Sequence, residues 1–376
     1  MSRLLDSDTI AAISTPLGEG GIGIVRLSGF RALEIVDGVF CSPNGVSLRD
    51  VPSHTIHYGF IEDNGVKLDE VLVAVMRAPK TYTREDIVEI DCHGGIVLLR
   101  RVLELILAKG ARAAQPGEFT KRAFLNGRIS IDQAEAVLDI IRAKTELGLE
   151  LSLHRLTGRF SRPIKQIRAR LLDLLAGIEV GIDFPDYEEE ALPREEFIAG
   201  LKEALRQMEY FLQRGRDGRI IREGLKTAIV GRPNVGKSTL LNALLQENRA
   251  IVTPVPGTTR DRIEEWIELD GIPFKLIDTA GLREVRDEAE RIGVELALQA
   301  MEGADLVLLM LDLSEPLDEE DGAIAERLQG KRTLLLLNKV DLGRSFSAKE
   351  AVETLGVNAE AVLEISAKFG DGLEEL

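Results

Sequence analysis

Residues 231–238 constrain the fold of this chain more than any other segment. They read Gly-Arg-Pro-Asn-Val-Gly-Lys-Ser and fit the phosphate-loop pattern G-x-x-x-x-G-K-[ST]. A strand-like apolar run at 226–230 precedes them, and a helix-like run at 238–245 follows. This order predicts a nucleotide-binding α/β unit, in which loop N–H groups and the start of the helix bind phosphate oxygens. We expect Lys237 to reach the β- and γ-phosphates and the Ser238 hydroxyl to be a ligand of Mg²⁺.

Further apolar runs of strand length follow the phosphate loop and alternate with helix-like segments. They are residues 274–278, 306–312, 333–338 and 362–366. Near-continuous apolar strands separated by helices are typical of a parallel sheet that is covered on both faces. Three of these strands are followed by short polar motifs, at the edge where open α/β sheets bind their ligands. The motifs are Asp278-Thr279-Ala280-Gly281, Asn338-Lys339-Val340-Asp341 and Ser366-Ala367-Lys368.

These motifs predict the base and the class of nucleotide. Asp278 is suited to the Mg²⁺ shell, and Gly281 allows its backbone N–H to approach the γ-phosphate. The Asp341 carboxylate is suited to accept hydrogen bonds from N1 and N2 of guanine, and residues 366–368 would lie behind the base. Together the motifs predict a guanine-nucleotide domain.

A candidate switch loop lies between the phosphate-loop helix and the next strand, where the chain reads GTTRD at 257–261. A threonine there can complete the Mg²⁺ shell only when the γ-phosphate is present. In Ras-type enzymes a glutamine after the DxxG motif orients the attacking water, but here that residue is Leu282, which cannot hydrogen-bond. Another group must therefore orient the water. The nearby candidates lie on an acidic stretch, and that stretch is also compatible with a solvent-exposed helix face. The candidates are Glu284, Asp287, Glu288 and Glu290.

More than two hundred residues precede the phosphate loop, and their pattern is different. Residues 1–118 predict mixed α and β structure, because period-two alternation recurs around an Asn64-Gly65 hairpin signal. Apolar spacing then becomes helical, and the basic, glycine-containing stretch 214–224 predicts a linker. We therefore predict three domains, at residues 1–118, 119–215 and 216–376.

The motifs and the segment before them resemble a known family. GRPNVGKST, GTTRD, DTAGLRE, NKVD and SAK are similar to the motifs of the TrmE–Era–EngA group of GTPases. PGEFTKRAFLNGRISIDQAEAVLDII at 116–141 and STPLGEGGIGIVRLSG at 14–29 resemble the MnmE (TrmE) family of tRNA modification GTPases. The resemblance implies an N-terminal α+β folate-binding-type domain and a helical domain. Into the latter is inserted a Ras-like P-loop GTPase domain with helices on both faces of a parallel-rich sheet.

The resemblance also implies roles for residues of the nucleotide site. A potassium ion beside the phosphates does the work of an arginine finger, Ser238 and Thr259 are the Mg²⁺ ligands, and Lys237 and Glu290 are catalytic. The implied K⁺ ligands are Asn234, Thr253, Val255 and Thr258. The implied GTP contacts are Asn234, Val235, Gly236, Lys237, Ser238, Thr239, Thr253, Pro254, Val255, Pro256, Gly257, Thr258, Thr259, Asp278, Thr279, Ala280, Gly281, Asn338, Lys339, Asp341, Ser366, Ala367 and Lys368.

For the N-terminal domain the resemblance implies homodimerisation and binding of a reduced folate (formyl- or methylene-tetrahydrofolate). By motif position the candidate folate contacts are Arg26, Glu85 and Arg128. Arginines would pair with the folate glutamate tail and a carboxylate with the pterin amino groups, and local salt bridges are the alternative. The family modifies the wobble uridine U34 of tRNA with a carboxymethylaminomethyl-type group. It acts with an FAD-dependent partner, MnmG, in a heterotetramer-type complex.

Composition shapes the remaining expectations. The formal net charge is −16, so tRNA contacts are expected in local patches and not over the whole surface. Two cysteines, no secretory pattern and no apolar run of about 20 residues predict a cytoplasmic protein without a membrane segment.

Two points about the family assignment stay open at the level of sequence. The family ends with a further helical segment and a cysteine, whereas this sequence stops at Leu376. We therefore expect only the N-terminal part of the helical domain and a truncated closing helix of the GTPase domain. The alternative function is a ribosome-assembly GTPase switch of the Era or EngA type. Such proteins carry a C-terminal RNA-binding domain or a second nucleotide domain, whereas this chain has more than two hundred residues before its single phosphate loop.

Overall fold

Two separate sheets, each with its own helices, organise the chain. The computed structural model describes residues 8–159, 161–183, 193–248, 264–278 and 303–376. Backbone contacts divide the chain into two units, Met1–Glu135 and Ala136–Leu376. The three predicted domains, with boundaries after residues 118 and 215, stay predictions.

The first unit is built on a seven-stranded sheet. Its strands are β1 (Ile10–Ile13), β2 (Gly23–Ser28), β3 (Phe40–Cys41), β4 (Thr55–Asp63), β5 (Val66–Met76), β6 (Ile87–Cys92) and β7 (Arg112–Ala113). Its helices are α1 (Ala32–Asp37), α2 (Ile96–Ala108) and α3 (Glu118–Leu125). The strand order is β3-β4-β5-β6-β2-β1-β7, and neighbours are antiparallel except β1 and β7. The mixed α and β pattern of this region is confirmed.

The main core of the first unit lies on one face of this sheet. Val25 and Leu27 of β2 are buried there, together with Leu99 of α2. Because successive side chains of a strand point to opposite faces, Arg26 and Ser28 lie on the other face. That second face therefore carries polar groups close to α3.

Four helices connect the two sheets along the chain. They are α4 (Ile131–Arg142), α5 (Glu146–Leu156), α6 (Ser161–Asp183) and α7 (Arg194–Glu223). The predicted linker at 214–224 is wrong, because α7 continues to Glu223, two residues before the next strand begins. A glycine inside a helix costs only about 1 kcal/mol, which packing of α7 along α6 offsets. None of the described helices is both long and apolar enough to cross a membrane.

The second sheet has six strands and is mostly parallel. Its strands are β8 (Leu225–Val230), β9 (Glu264–Leu269), β10 (Ile272–Asp278), β11 (Leu306–Asp312), β12 (Thr333–Asn338) and β13 (Ala359–Glu364). Among the described residues after β8, its helices are α8 (Lys237–Asn248), α9 (Glu319–Glu326) and α10 (Ala348–Leu355). The order is β13-β12-β11-β8-β10-β9; of these described strands β9 and β10 are antiparallel neighbours, and the other neighbours are parallel.

Both faces of the second sheet are buried. Along β11, Val307 and Leu309 join the core on the side of α9 and α10, whereas Leu308 joins the core beneath α8. The central strands β11 and β12 are therefore apolar along almost their whole length, which is why they read as continuous runs in the sequence. The predicted fold class, with helices on both faces of a parallel-rich sheet, is confirmed.

Candidate nucleotide-binding site

The phosphate loop connects β8 to α8 in a conformation that requires its two glycines. Gly231 has φ +151° and Gly236 has φ +108°, values that other residues rarely adopt. A Cβ on Gly231 would lie 2.2 Å from the carbonyl oxygen of Met310, and one on Gly236 would lie 2.3 Å from Nδ2 of Asn338. The loop therefore lies directly against β11 and β12, the strands next in order after β8.

Lys237, the first residue of α8, folds back over the loop. Its Nζ donates to the carbonyl oxygens of Gly231 at 2.7 Å and Arg232 at 2.6 Å. Ser238 and Thr239 follow in the first turn of the helix. The lysine ammonium and the direction of the N–H groups at the start of a helix favour an anion at this position.

Asn338, the last residue of β12, connects three of the predicted motifs. Its side chain is buried, with Nδ2 donating to the carbonyl oxygen of Val235 at 2.6 Å. Its Oδ1 accepts from the backbone N–H of Ala367 at 2.9 Å. One amide thus brings together the phosphate loop, the NKVD motif and the SAK motif, and the contact between Asn338 and Val235 joins residues 103 positions apart in sequence.

Asp341 lies in the short 3₁₀ turn Val340–Leu342, next to the SAK motif. Its Oδ1 accepts a hydrogen bond of 2.7 Å from the hydroxyl of Ser366, which is fully buried. The Nζ of Lys368 lies 5.1 Å from the ring centroid of Phe369. The contact with Ser366 orients the Asp341 carboxylate, as hydrogen bonding to a flat base requires.

Two side chains beside the loop were missed by sequence reasoning. Arg232 forms an ion pair with Asp318, and its Nε lies 3.0 Å from Oδ1 of the buried Asp321, so the loop is tied to the start of α9. Asp312 accepts from Nζ of Lys339 at 2.5 Å. Arg232 occupies a variable position of the motif and therefore carried no signal. Asp312 did carry one, because it ends an apolar strand at the ligand-binding edge.

Part of the predicted site lies outside the described residues. This part comprises Thr253, Pro254, Val255, Pro256, Gly257, Thr258, Thr259, Thr279, Ala280, Gly281, Glu290 and the alternatives Glu284, Asp287 and Glu288. Asp278 is described as the last residue of β10, where it pairs in parallel register with Ile229 of β8. The roles assigned to all these residues stay predictions.

Arg26 and Arg128, two of the candidate folate contacts, lie in the first unit and each contacts an aromatic ring. Nε of Arg26 donates to Oε1 of Glu89 at 2.6 Å, and its guanidinium lies 5.8 Å from the Phe119 ring centroid. Arg128 lies 4.8 Å from the centroid of the Tyr82 ring and donates to the carbonyl oxygen of Tyr82.

Glu85, the third folate candidate, belongs to a buried polar cluster. It accepts from the hydroxyl of Ser28 at 2.7 Å and from Nη1 of Arg122 at 3.1 Å. Arg122 is only 2% exposed and also pairs with Glu118 at 3.5 Å. Arg122 and Glu118 belong to α3, and so does the ring that Arg26 approaches. The structure therefore places Arg26 and Glu85 beside one helix.

Two protein-family models match the chain. The one described as "GTP-binding protein TrmE N-terminus" matches residues 9–128, and "50S ribosome-binding GTPase" matches residues 226–339. The second match runs from β8 through the phosphate loop and into the NKVD motif. The first match favours a tRNA modification GTPase over a ribosome-assembly switch.

Fold and site together define a P-loop GTPase. The tRNA modification GTPase MnmE of Geobacillus kaustophilus is 53% identical over 382 residues, which cover 99% of this chain and 81% of the relative. Those of Lactobacillus delbrueckii subsp. bulgaricus and Bacillus subtilis are 50% and 48% identical, over 100% and 98% of this chain and 81% of each relative. The chain therefore belongs to the MnmE family of tRNA modification GTPases, and it spans about four fifths of the length of these relatives.

Proposed function

We propose that this chain couples GTP hydrolysis to modification of the wobble uridine U34 of tRNA. The added group is of the carboxymethylaminomethyl type, with a reduced folate as the one-carbon donor. An FAD-dependent partner, MnmG, joins a homodimer of this chain in a heterotetramer-type complex in the cytoplasm. The observation that carries the proposal is the Asn338 amide, which joins a phosphate loop to a guanine motif in a chain with a TrmE-type N-terminus.

In this proposal the residues of the chain bind and orient GTP. Lys237 exchanges the carbonyl oxygens that it now contacts for oxygens of the β- and γ-phosphates. Asp341, oriented by Ser366, accepts from N1 and N2 of guanine. The loop N–H groups and the lysine ammonium stabilise the charge that develops on the transferred phosphoryl group.

The donor set of the site fits the two cations that the family implies. Ser238 offers a hydroxyl oxygen in the first turn of α8, and Mg²⁺ prefers such hard oxygen donors, with Thr259 as the second protein ligand. Oxygen donors also suit K⁺, and its ligands would be Asn234, Thr253, Val255 and Thr258. Both cations neutralise negative charge on the phosphates.

The potassium assignment is tested by exchanging the monovalent cation. We expect GTP hydrolysis in KCl buffer to exceed that in NaCl buffer of equal ionic strength by about 10-fold or more, because one correctly placed charge contributes that much to phosphoryl transfer. The measurement is phosphate release at saturating GTP and Mg²⁺. Equal rates in the two buffers would contradict the assignment of Asn234 and its loop partners to K⁺.

The folate site is proposed on the side of the first sheet that faces α3. Arg26 and Arg128 would pair with the carboxylates of the folate tail, and Glu85 would meet the pterin amino groups. The contact of both Arg26 and Glu85 with α3 supports this placement. GTP hydrolysis would switch the loop at 253–259 and shift the two nucleotide domains of the dimer, which would reposition the modification site.

Loss of the gene tests the tRNA function itself. We expect that deleting the gene leaves U34 without its carboxymethylaminomethyl-type group in the tRNAs that normally carry it, because in the proposal the modification depends on GTP hydrolysis by this chain. The measurement is mass spectrometry of nucleosides from total tRNA, with the intact gene returned as the control. A full complement of modified uridine in the deletion strain would refute the proposed function.

A further inference from the structure

Asp312 is a buried carboxylate that none of the nucleotide-binding motifs includes. It is the last residue of β11, the strand between β8 and β12, and it is 3% exposed. Its oxygens accept from Nζ of Lys339 at 2.5 Å, from the hydroxyl of Ser314 at 2.6 Å and from the N–H of Ser314 at 3.0 Å. A position this close to the guanine motif calls for a function.

The carboxylate is charged despite its burial. Burial alone would raise the pKa of Asp312, but the hydrogen bonds from Lys339 and Ser314 hold it below the ordinary value. A buried charge is costly unless it is paired, and here the paired cation is the lysine of the NKVD motif. The Asp312–Lys339 pair is therefore an ion pair of which the acidic member is enclosed by protein.

Lys339 has little freedom at its backbone. Its φ of +67° lies in the left-handed region that lysine rarely adopts. The motif residues on either side are held too, Asn338 by the phosphate loop and Asp341 by Ser366. With the backbone constrained, the contact with Asp312 sets the direction of the lysine side chain.

We propose that Asp312 is a positioning residue for guanine-nucleotide binding, acting through Lys339. The carboxylate holds the lysine stem in place before the nucleotide arrives. The entropy cost of ordering this long side chain is therefore not part of the binding free energy. This inference rests on the proposed guanine site at Lys339 and Asp341. GTP and GDP need the same positioning, so both lose affinity equally when Asp312 is replaced, whereas the rate of the chemical step is unchanged.

The experiment is a double-mutant cycle on the full chain, read out as the Kd of GDP and of a non-hydrolysable GTP analogue. D312N is expected to raise both Kd values about 10-fold, as loss of a charge-assisted hydrogen bond does, with kcat within about twofold. In a K339M background D312N is expected to have little further effect. The matched control is D305N, just before the other end of β11, whose carboxylate accepts from the N–H of Lys226.

A second variant covers the case in which D312N does not fold. S314A keeps both charges and removes one hydrogen bond to the carboxylate, so a Kd increase of about two- to threefold is expected, again only when Lys339 is present. Unchanged Kd values in D312N and S314A, or equal losses with and without Lys339, would overturn the inference. If D341N also leaves guanine affinity unchanged, the proposed site itself fails, whereas a loss in D341N alone refutes only the role of Asp312.

Discussion

Replacing Asp341 by asparagine is expected to change the preferred nucleotide from GTP to XTP. Guanine presents two donors, N1–H and the N2 amino group, which a carboxylate accepts together. Xanthine has N1–H and a carbonyl oxygen at C2, which an amide meets with one acceptor and one donor. D341N therefore leaves the guanine amino group without its acceptor, and we expect GTP affinity to fall about 10²-fold or more while XTP affinity rises.

The switch is measured as the Kd of GDP and XDP and the hydrolysis rate of GTP and XTP. The fold of the site predicts that D341N keeps its geometry, because the Ser366 hydroxyl can still donate to the amide oxygen. D371N is the matched control, since Asp371 pairs with Ser366 through its backbone carbonyl. Retention of GTP preference in D341N would show that Asp341 does not contact the base.

Replacing Glu290 by glutamine is expected to abolish most GTP hydrolysis without weakening GTP binding. Leu282 cannot orient the attacking water, so the role falls to an acid of the following stretch, and the family resemblance assigns it to Glu290. Loss of a group that positions and polarises a nucleophile costs about 10²- to 10³-fold in kcat. Because glutamine has the same size as glutamate and the role assigned to Glu290 concerns the attacking water and not nucleotide binding, the Kd of GTP is expected to stay within about twofold.

Three neighbouring acids serve as controls for this prediction. E284Q, D287N and E288Q remove the same charge from the same stretch, and the hydrolysis rate of each is expected to stay close to that of the unaltered chain. Single-turnover phosphate release in K⁺ buffer separates the chemical step from nucleotide exchange. Should one of the three controls lose activity in place of E290Q, that residue orients the water and the family assignment is wrong for this chain.

Sequence patterns predicted element bounds best where burial alone decides which residues are apolar. The strands at 306–312 and 333–338 have the bounds that their apolar runs predict, because residues on both faces of a parallel sheet are buried. The pattern failed at the end of α7, where arginines and glycines at 214–224 predicted a linker but the helix continues. Local composition there is outweighed by the packing of a long helix, which no window of sequence contains.

The sequence by itself determined the class of the protein: a phosphate loop, a guanine motif and a TrmE-type N-terminus in one chain. Only the tertiary structure decided which side chains meet, because strand order and register, and not spacing along the chain, bring residues together. Asp312 ends β11, and Lys339, 27 residues later, directly follows the end of the adjacent parallel strand β12. Arg232 reaches Asp318 across 86 residues. The pairing itself has no signature in the sequence, because no local pattern specifies which charged side chain another one will meet, even where one partner lies in a recognised motif.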